Sequence, residues 1–322
     1  MFRKAERKQA KLRLAICGPA GSGKTYSALL IAQGLAPEGK IALIDTERGS
    51  GELYAQLTNY DVAALDPPFT PNRYMELIAA AEQAHYDVLI IDSLSHAWSG
   101  EGGVLDLHDK ATSANRSGNS FAAWREVTPK HNALVNAVIG ANLHVIVTMR
   151  TKTAYDLVDD NGKKKPIKIG LAPVQRDGVE YEFTTVLDVA VENHIATASK
   201  DRTRLFDGEH FVPSVTTGEK LREWLMTGKD PSAASRKLLR SFKVAVGRID
   251  ELRELQVWWR QHDADIATLT AMDKAGLTEH CAKRKQQLLM AMQHEPDTSQ
   301  PKGNGQDRNP NFYSQDEAGM PV

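Results

Sequence analysis

From Leu12 to about Val212 the chain alternates short apolar runs with amphipathic stretches. The apolar runs at 12–17, 41–44, 88–91, 144–148, 185–191 and 195–199 read as strands buried on both faces. Helical periodicity fills the intervals at 26–34, 72–85 and 121–141. That alternation predicts an α/β fold, a mainly parallel sheet covered by helices on both sides. The pattern changes at 227–231, where Gly228-Lys229-Asp230-Pro231 breaks the chain and Asp230 is placed to cap a helix. Residues 232 to about 293 are helix formers, with Leu238, Leu239, Phe242, Val246, Ile249, Leu252 and Leu255 marking one face. From Glu295 the chain is polar and poor in core formers, which predicts a disordered tail. The expected organisation is therefore one α/β domain over 1–227, a helical module over 231–294 and a tail over 295–322.

The first strand runs into Gly18-Pro19-Ala20-Gly21-Ser22-Gly23-Lys24-Thr25, which satisfies G-x-x-x-x-G-K-[ST] at every fixed position. Tyr26 opens the helix that follows. Strand, glycine loop and helix together form the context that makes this pattern a phosphate site. Glycines let successive backbone N–H groups curl around phosphates without Cβ clashes. Lys24 then reaches the β- and γ-phosphates, and Thr25 offers its hydroxyl to Mg2+. A glycine-rich turn with a solvated lysine accounts for the loop but not for its flanks.

Hydrolysis also needs a carboxylate to organise the metal and a base to activate water. Val88-Leu89-Ile90-Ile91-Asp92 is an apolar strand ending in aspartate, which would hold Mg2+ through water. The blander reading is a strand-end aspartate opening a turn. The strand at 41–44 is followed by Asp45-Thr46-Glu47, which sets a glutamate beside the phosphate loop as general base.

Leu43-Ile44-Asp45-Thr46-Glu47, with Tyr54 seven residues on and Asp92-Ser93 closing a later strand, resembles the RecA recombinase family. The resemblance implies a catalytic Glu47 and a Tyr54 that stacks on adenine, making ATP the nucleotide. Tyr54 reads equally as a ring packed on the neighbouring helix. Over about residues 2–206, stretches such as GPAGSGKTYSALLIA, ALIDTERGSGELYA, YDVLIIDSLSHAW and HVIVTMRTKTAY resemble phage and prophage ATP-binding proteins of AAA type. These have a RecA-like core and include the Sak-type ATPases linked to single-strand DNA recombination. The resemblance implies a homo-oligomer working in the cytoplasm of a bacterial host. This chain departs from RecA at Thr148-Met149-Arg150, where RecA carries a glutamine, so the sensor role passes to Arg150 or is lost. About a dozen residues, rich in Lys and Arg, precede the first strand in place of RecA's filament-building helix. Ile195 to Ser199 leads into Lys200-Asp201-Arg202. In RecA-like hexameric helicases such a pair faces the γ-phosphate across a subunit interface, where it spreads charge over the transferring group. The same residues also read as a solvated hairpin tip.

In RecA-like folds single strands bind on loops that follow the sheet. One candidate loop spans 99–120 and carries Lys110 and Arg116. The other follows Thr148 and carries Lys152, Lys163, Lys164, Lys165, Lys168 and Arg176, with Asp160-Asn161-Gly162 as a hairpin tip. Such lysines neutralise phosphates without reading sequence, although a solvated flexible loop has the same composition. Trp258-Trp259-Arg260 reads as helical core rather than as a base platform. The tip at 316–322 has the acidic-then-apolar order of single-strand-binding proteins, which makes a single-strand-binding or replication protein a candidate partner.

Composition narrows the field. A net charge of −1 supplies no global basic field, so any nucleic-acid contact rests on local patches. Cys17 and Cys281 make no disulfide framework or metal spacing. The basic start (Arg3, Lys4, Arg7, Lys8, Lys11, Arg13) lacks a signal peptide's apolar run, and no stretch is long enough to span a bilayer. An Arg-rich kinase lid and an Asn-Lys-x-Asp guanine reader are both missing. The leading expectation is a phage recombination ATPase acting on single-stranded DNA by annealing or strand pairing. The alternatives are a replication motor or helicase loader, and a nucleotide-dependent switch that recognises protein.

Overall fold

Every residue of the first apolar run is buried: Arg13–Gly18 forms β1 in a computed structural model that describes residues 4–115, 118–160 and 163–293 (backbone alone over 154–170 and 292–293). Two units separate between Lys229 and Asp230. After β1 the first unit continues with α1 (Lys24–Leu35), β2 (Ile41–Asp45), β3 (Asp61–Ala64), α2 (Pro71–Gln83) and β4 (Val88–Asp92). Then come α3 (Ser95–Ser99), α4 (Val104–Ala114), α5 (Ser120–Gly140), β5 (His144–Asp160) and β6 (Lys163–Pro173). It closes with β7 (Thr185–Val189), β8 (Ala196–Asp201), β9 (His210–Phe211) and α6 (Val215–Met226).

The sheet order is β3-β2-β4-β5-β1-β7-β8-β9, parallel from β3 to β7 and antiparallel beyond. This is a RecA-like P-loop fold. β5 lies between β1 and β4, pairing Ile16 with Thr148 and Ile91 with Val147. The carboxyl ends of β1, β5, β4 and β2 therefore lie side by side, the edge at which open α/β sheets bind ligands. Packing accounts for the flanking layers. On one face Tyr74, Ile78, Leu134 and Val138 from α2 and α5 cover Leu89, Ile91 and Val145. On the other, α1 and α6 bring Leu29, Ile31, Ala32 and Leu221 onto Leu14, Ile16 and Ile90.

Two glycines set the approach of α1 and α6. A Cβ on Gly34 would fall on the carbonyl oxygen of Val215, and one on Gly218 on that of Ile31. Both clashes are with backbone, so neither can be relieved by a rotamer change. Gly34→Ala is expected to destabilise the first unit by about 2 kcal/mol, within the range for overpacking. A thermal melt matching the parent would show that the helices can separate freely. Arg13 supplies a second tie. Arg13 is 7% exposed, and its guanidinium donates to the carbonyls of Ile139 and Ala141 at the C-terminal end of α5 and to that of Leu143 just beyond it.

Several expectations need correction. The strand expected at 144–148 continues to Asp160, because beyond Arg150 it exchanges its sheet neighbours for β6. The antiparallel register runs from Thr151↔Pro173 to Asp160↔Lys163, whereas Asn161 and Gly162 of the expected tip lie outside the described residues. The expected loop over 99–120 is mostly helical. Its Gly102 N–H donates to Asp106 Oδ2 (2.7 Å), which closes the first turn of α4. Arg116 lies outside the described residues. The helix expected to reach His85 stops at Gln83, and His85 itself takes φ +57°. β3, β9 and α6 were not among the expected elements.

The second unit holds α7 (Ala233–Gly247), α8 (Leu252–Gln261), α9 (Asp263–Ile266) and α10 (Ala271–Gln293). Ser232, not Asp230, is the residue preceding α7. Asp230 accepts the Ser232 N–H (2.8 Å), so it shapes the turn before the helix. The apolar face expected over 238–255 is shared between α7 and α8. It packs Phe242, Val246, Leu255 and Trp259 against Leu277 and Leu288. Trp258 meets Phe242 edge-on at 5.1 Å, so both tryptophans serve this core. The tail from 294 lies outside the described residues.

Candidate nucleotide site

The phosphate loop leaves β1 at Gly18, where a Cβ would collide with Ser22 Oγ and the Val189 carbonyl. Gly21 and Gly23 take φ of 78° and 85°, the left-handed region that favours glycine. Lys24 and Thr25 begin α1 immediately after. The Lys24 ammonium donates to the Pro19 carbonyl (2.8 Å), so it lies across its own loop. Burial lowers the Lys24 pKa, and the carboxylates of Asp92 and Glu47 oppose that shift. Ser22 Oγ is fully buried and has no hydrogen-bond partner among the described residues. An orphaned hydroxyl inside a glycine cradle fits a phosphate oxygen.

Asp92 ends β4 at 2% exposure. Its two oxygens each accept a hydroxyl: Thr25 Oγ1 donates to Oδ2 and Thr148 Oγ1 to Oδ1, both at 2.5 Å. Burial pushes the Asp92 carboxyl up, and these two hydrogen bonds pull it back. Thr25 and Asp92 form a hard-oxygen pair suited to Mg2+, an ion that takes few protein ligands and the rest from phosphate and water.

Glu47 follows β2. Asp45 fixes the turn by accepting the N–H groups of Glu47 (2.6 Å) and Gly51 (3.1 Å). Thr46 ties β2 to β4, accepting the Ser93 N–H at 2.8 Å, and its hydroxyl lies 2.7 Å from His96 Nδ1. Burial lowers the His96 pKa, while the nearby Glu47 and Asp92 carboxylates oppose that shift. Both Glu47 oxygens are engaged by Arg150: Nε donates to Oε1 at 3.0 Å and Nη2 to Oε2. Ser93 Oγ also donates to Oε1 at 3.3 Å. The Arg150 N–H in turn donates to Ser95 Oγ (2.9 Å), anchoring the strand that carries the guanidinium.

Lys24, Thr25, Glu47, Asp92 and Arg150, drawn from four segments, thus converge on one mouth. Tyr26, 43% exposed, meets the partly buried Tyr54 edge-on at 5.7 Å beside that mouth. Lys200 and Arg202 do not join it. Their side chains donate to the Tyr181 carbonyl, and their backbone partners Val186 and Thr184 lie toward the start of β7, whereas the phosphate loop adjoins its end. Lys110 is ion-paired with Asp106 on α4 (2.9 Å), and Lys152 is exposed on β5. Lys163, Lys164, Lys165 and Lys168 lie on β6, where the register sets Lys163 opposite Asp160 and Lys164 opposite Asp159.

Two participants carry no local signal in the sequence. Thr148 reaches Asp92 across 56 residues of chain. His194, in the β7–β8 turn, sits with Nδ1 3.0 Å from the Ser22 carbonyl and walls the loop at Gly23. Residues 10–218 match a protein-family model described as an AAA domain. A search of curated proteins found no match.

Proposed function

This chain belongs to the AAA domain family, and from that premise we propose that it hydrolyses ATP with Mg2+ as a phage recombination protein acting on single-stranded DNA in a homo-oligomer. Family membership makes it a nucleotide-binding P-loop ATPase. The observation that carries the rest of the chemistry is the convergence of Lys24, Thr25, Asp92 and Glu47. The loop amides and Lys24 bind the β- and γ-phosphates, and the Tyr26–Tyr54 pair offers adenine an aromatic wall. Thr25 and Asp92 would hold Mg2+, which neutralises charge developing on the phosphates. Glu47 orients water and takes its proton, once its carboxylate is free of Arg150. Arg150 is the cation adjoining that carboxylate, which suits a sensor of the γ-phosphate.

The reading of DNA as substrate is supported by β5. The strand bearing Thr148 and Arg150 continues into the β5–β6 ribbon, which carries five lysines against three aspartates over 151–173. Phage origin, recombination and a host-cytoplasm setting rest on the resemblance of the motifs to Sak-type ATPases. Among the described residues no helix is long and apolar enough to cross a membrane. Lys200 and Arg202, remote from their own chain's phosphate loop, suit a neighbouring subunit's γ-phosphate. That feature also supports a replication motor or helicase loader as the second reading.

ATP turnover measured with and without single-stranded DNA, beside a mass measurement of the assembly, tests the proposal. We expect stimulation by DNA and an oligomer. Replacing Lys163, Lys164 and Lys165 together by Ala should weaken salt-sensitive DNA binding and lower the slope of log affinity against log salt by about 2, the effect of three phosphate contacts on a single strand. Unchanged binding would remove the ribbon from the DNA path, and duplex unwinding driven by ATP would favour the motor.

A further inference from the structure

The helices after β4 gather an aromatic array that the nucleotide site does not use. Trp98 on α3 and Trp124 on α5 stack with centroids 6.0 Å apart and planes 17° apart. His108 on α4 stacks on Trp124 at 4.2 Å, and the buried His131 meets Trp98 edge-on at 5.5 Å. Phe121, one turn before Trp124 on α5, is 86% exposed. The two indoles open onto a cavity of about 520 Å³ whose wall also includes Lys152, Gln175, Arg176 and Asp177. The Arg176 guanidinium lies 6.0 Å from the Trp124 ring centroid. Among the described residues neither Lys152 nor Arg176 has an ion-pair partner.

A hydrophobic core alone does not account for this arrangement. Core aromatics are closed over, whereas these two indoles are only half-buried and share their cavity with two cations. The cations also limit the ligand. They repel an ammonium group, the usual guest of an aromatic cage. What fits stacked indoles, a guanidinium and an ammonium together is a flat π-faced group attached to an anion, which is a nucleobase with its phosphate. Gln175 is held in place by its neighbours: it donates to the Leu94 carbonyl (3.2 Å), and its Oε1 lies 3.2 Å from His131 Nε2. Asp177 is left to accept from a base N–H, such as the N3–H of thymine.

We infer that this cavity is a base-stacking site for single-stranded nucleic acid, with Trp98 and Trp124 as the platform and Arg176 and Lys152 on the flanking phosphates. The inference rests on the DNA-acting reading above and adds a site to it. A strand suits the cavity better than a free nucleotide because Lys152 lies where β5 enters the lysine-bearing ribbon. Phosphates next to a stacked base would continue onto that ribbon.

The test is fluorescence anisotropy of a labelled oligo(dT) of about 15 nucleotides on the full chain, with Trp124→Leu, Trp124→Phe and Arg176→Gln variants. Trp124→Leu and Arg176→Gln should each weaken binding about tenfold, and Trp124→Phe should recover most of the loss. Parental affinity in both Trp124→Leu and Arg176→Gln would overturn the stacking site and leave the DNA-acting reading standing. No binding by the parent would end both. Displacement by dTMP at the potency of the oligonucleotide would overturn the strand assignment in favour of a free nucleotide. Trp124 packs on two rings, so its variants need a folding control. Should Trp124→Leu not fold, Arg176→Gln and photocrosslinking of the parent with a 4-thiothymidine oligonucleotide decide the matter. Crosslinks at Trp98 or Trp124 support the site, and crosslinks confined to the ribbon overturn it.

Discussion

Glu47→Gln is expected to bind Mg·ATP as tightly as the parent and to turn it over about a thousandfold more slowly. The substitution keeps size and hydrogen bonding but removes the proton acceptor. In the structure the carboxylate is clamped by Arg150 through both oxygens, with Ser93 on one of them. A base clamped in this way cannot accept a proton from water. Work at the site therefore requires a competing anion to draw the guanidinium away, and the γ-phosphate is the anion that arrives. Exposure matters to this exchange. The Arg150 side chain is 46% exposed against 23% for Glu47, so the arginine can swing while the glutamate stays. Binding by calorimetry and turnover by phosphate release separate the two effects. Parental turnover in Glu47→Gln would remove Glu47 as the base and leave Arg150 with a purely structural partner.

Lys24→Ala should lower nucleotide affinity about a hundredfold, since a buried cation makes charge-assisted hydrogen bonds worth more than neutral ones. Its ammonium now donates to the Pro19 carbonyl within the loop. That bond occupies the place of a phosphate contact and can be exchanged for one. Burial favours the neutral amine, whereas Asp92 and Glu47 favour the ammonium. Incoming phosphates reinforce the carboxylates, so the charged form is the one that binds. Fluorescent ATP-analogue titration checks this directly. Retention of parental affinity would mean that the glycine loop and Thr25 carry the phosphates without Lys24.

What was legible in the sequence divides along a physical line. Gly18 to Thr25 could be read because the loop's geometry is local: glycines at fixed spacing, then a lysine and a hydroxyl at a helix start. Asp92 was legible as the polar residue that closes a buried strand, and Glu47 as a carboxylate two residues past the end of another. The pairings of those carboxylates were not, although Arg150 itself was read as a sensor, because Thr148 and Arg150 reach them from a strand that only the sheet order brings alongside. The helix α4 was hidden by Gly100, Gly102 and Gly103 before it and Gly118 after it, which together read as loop. The outer half of β5 was hidden for the opposite reason. The stretch Thr151 to Asp160 holds neither a continuous apolar run nor a regular alternation of apolar and polar residues, so it gives no strand signal. The Trp98–Trp124 array joins residues 26 apart in sequence on separate helices, a spacing with no meaning until both are folded.

β5 runs as one strand from His144 to Asp160. Its final ten residues, Thr151 to Asp160, hold no partner but β6 among the described residues. At about 3.3 Å per residue they form an arm of up to about 33 Å that leaves the sheet at Arg150, with a register shift at Ala154/Tyr155. A tilt of about 5° at that fulcrum would sweep the far end through about 3 Å, on the scale of one strand-residue step. The gain would be purely geometric and would run in reverse, a load at the far end acting as torque about Arg150.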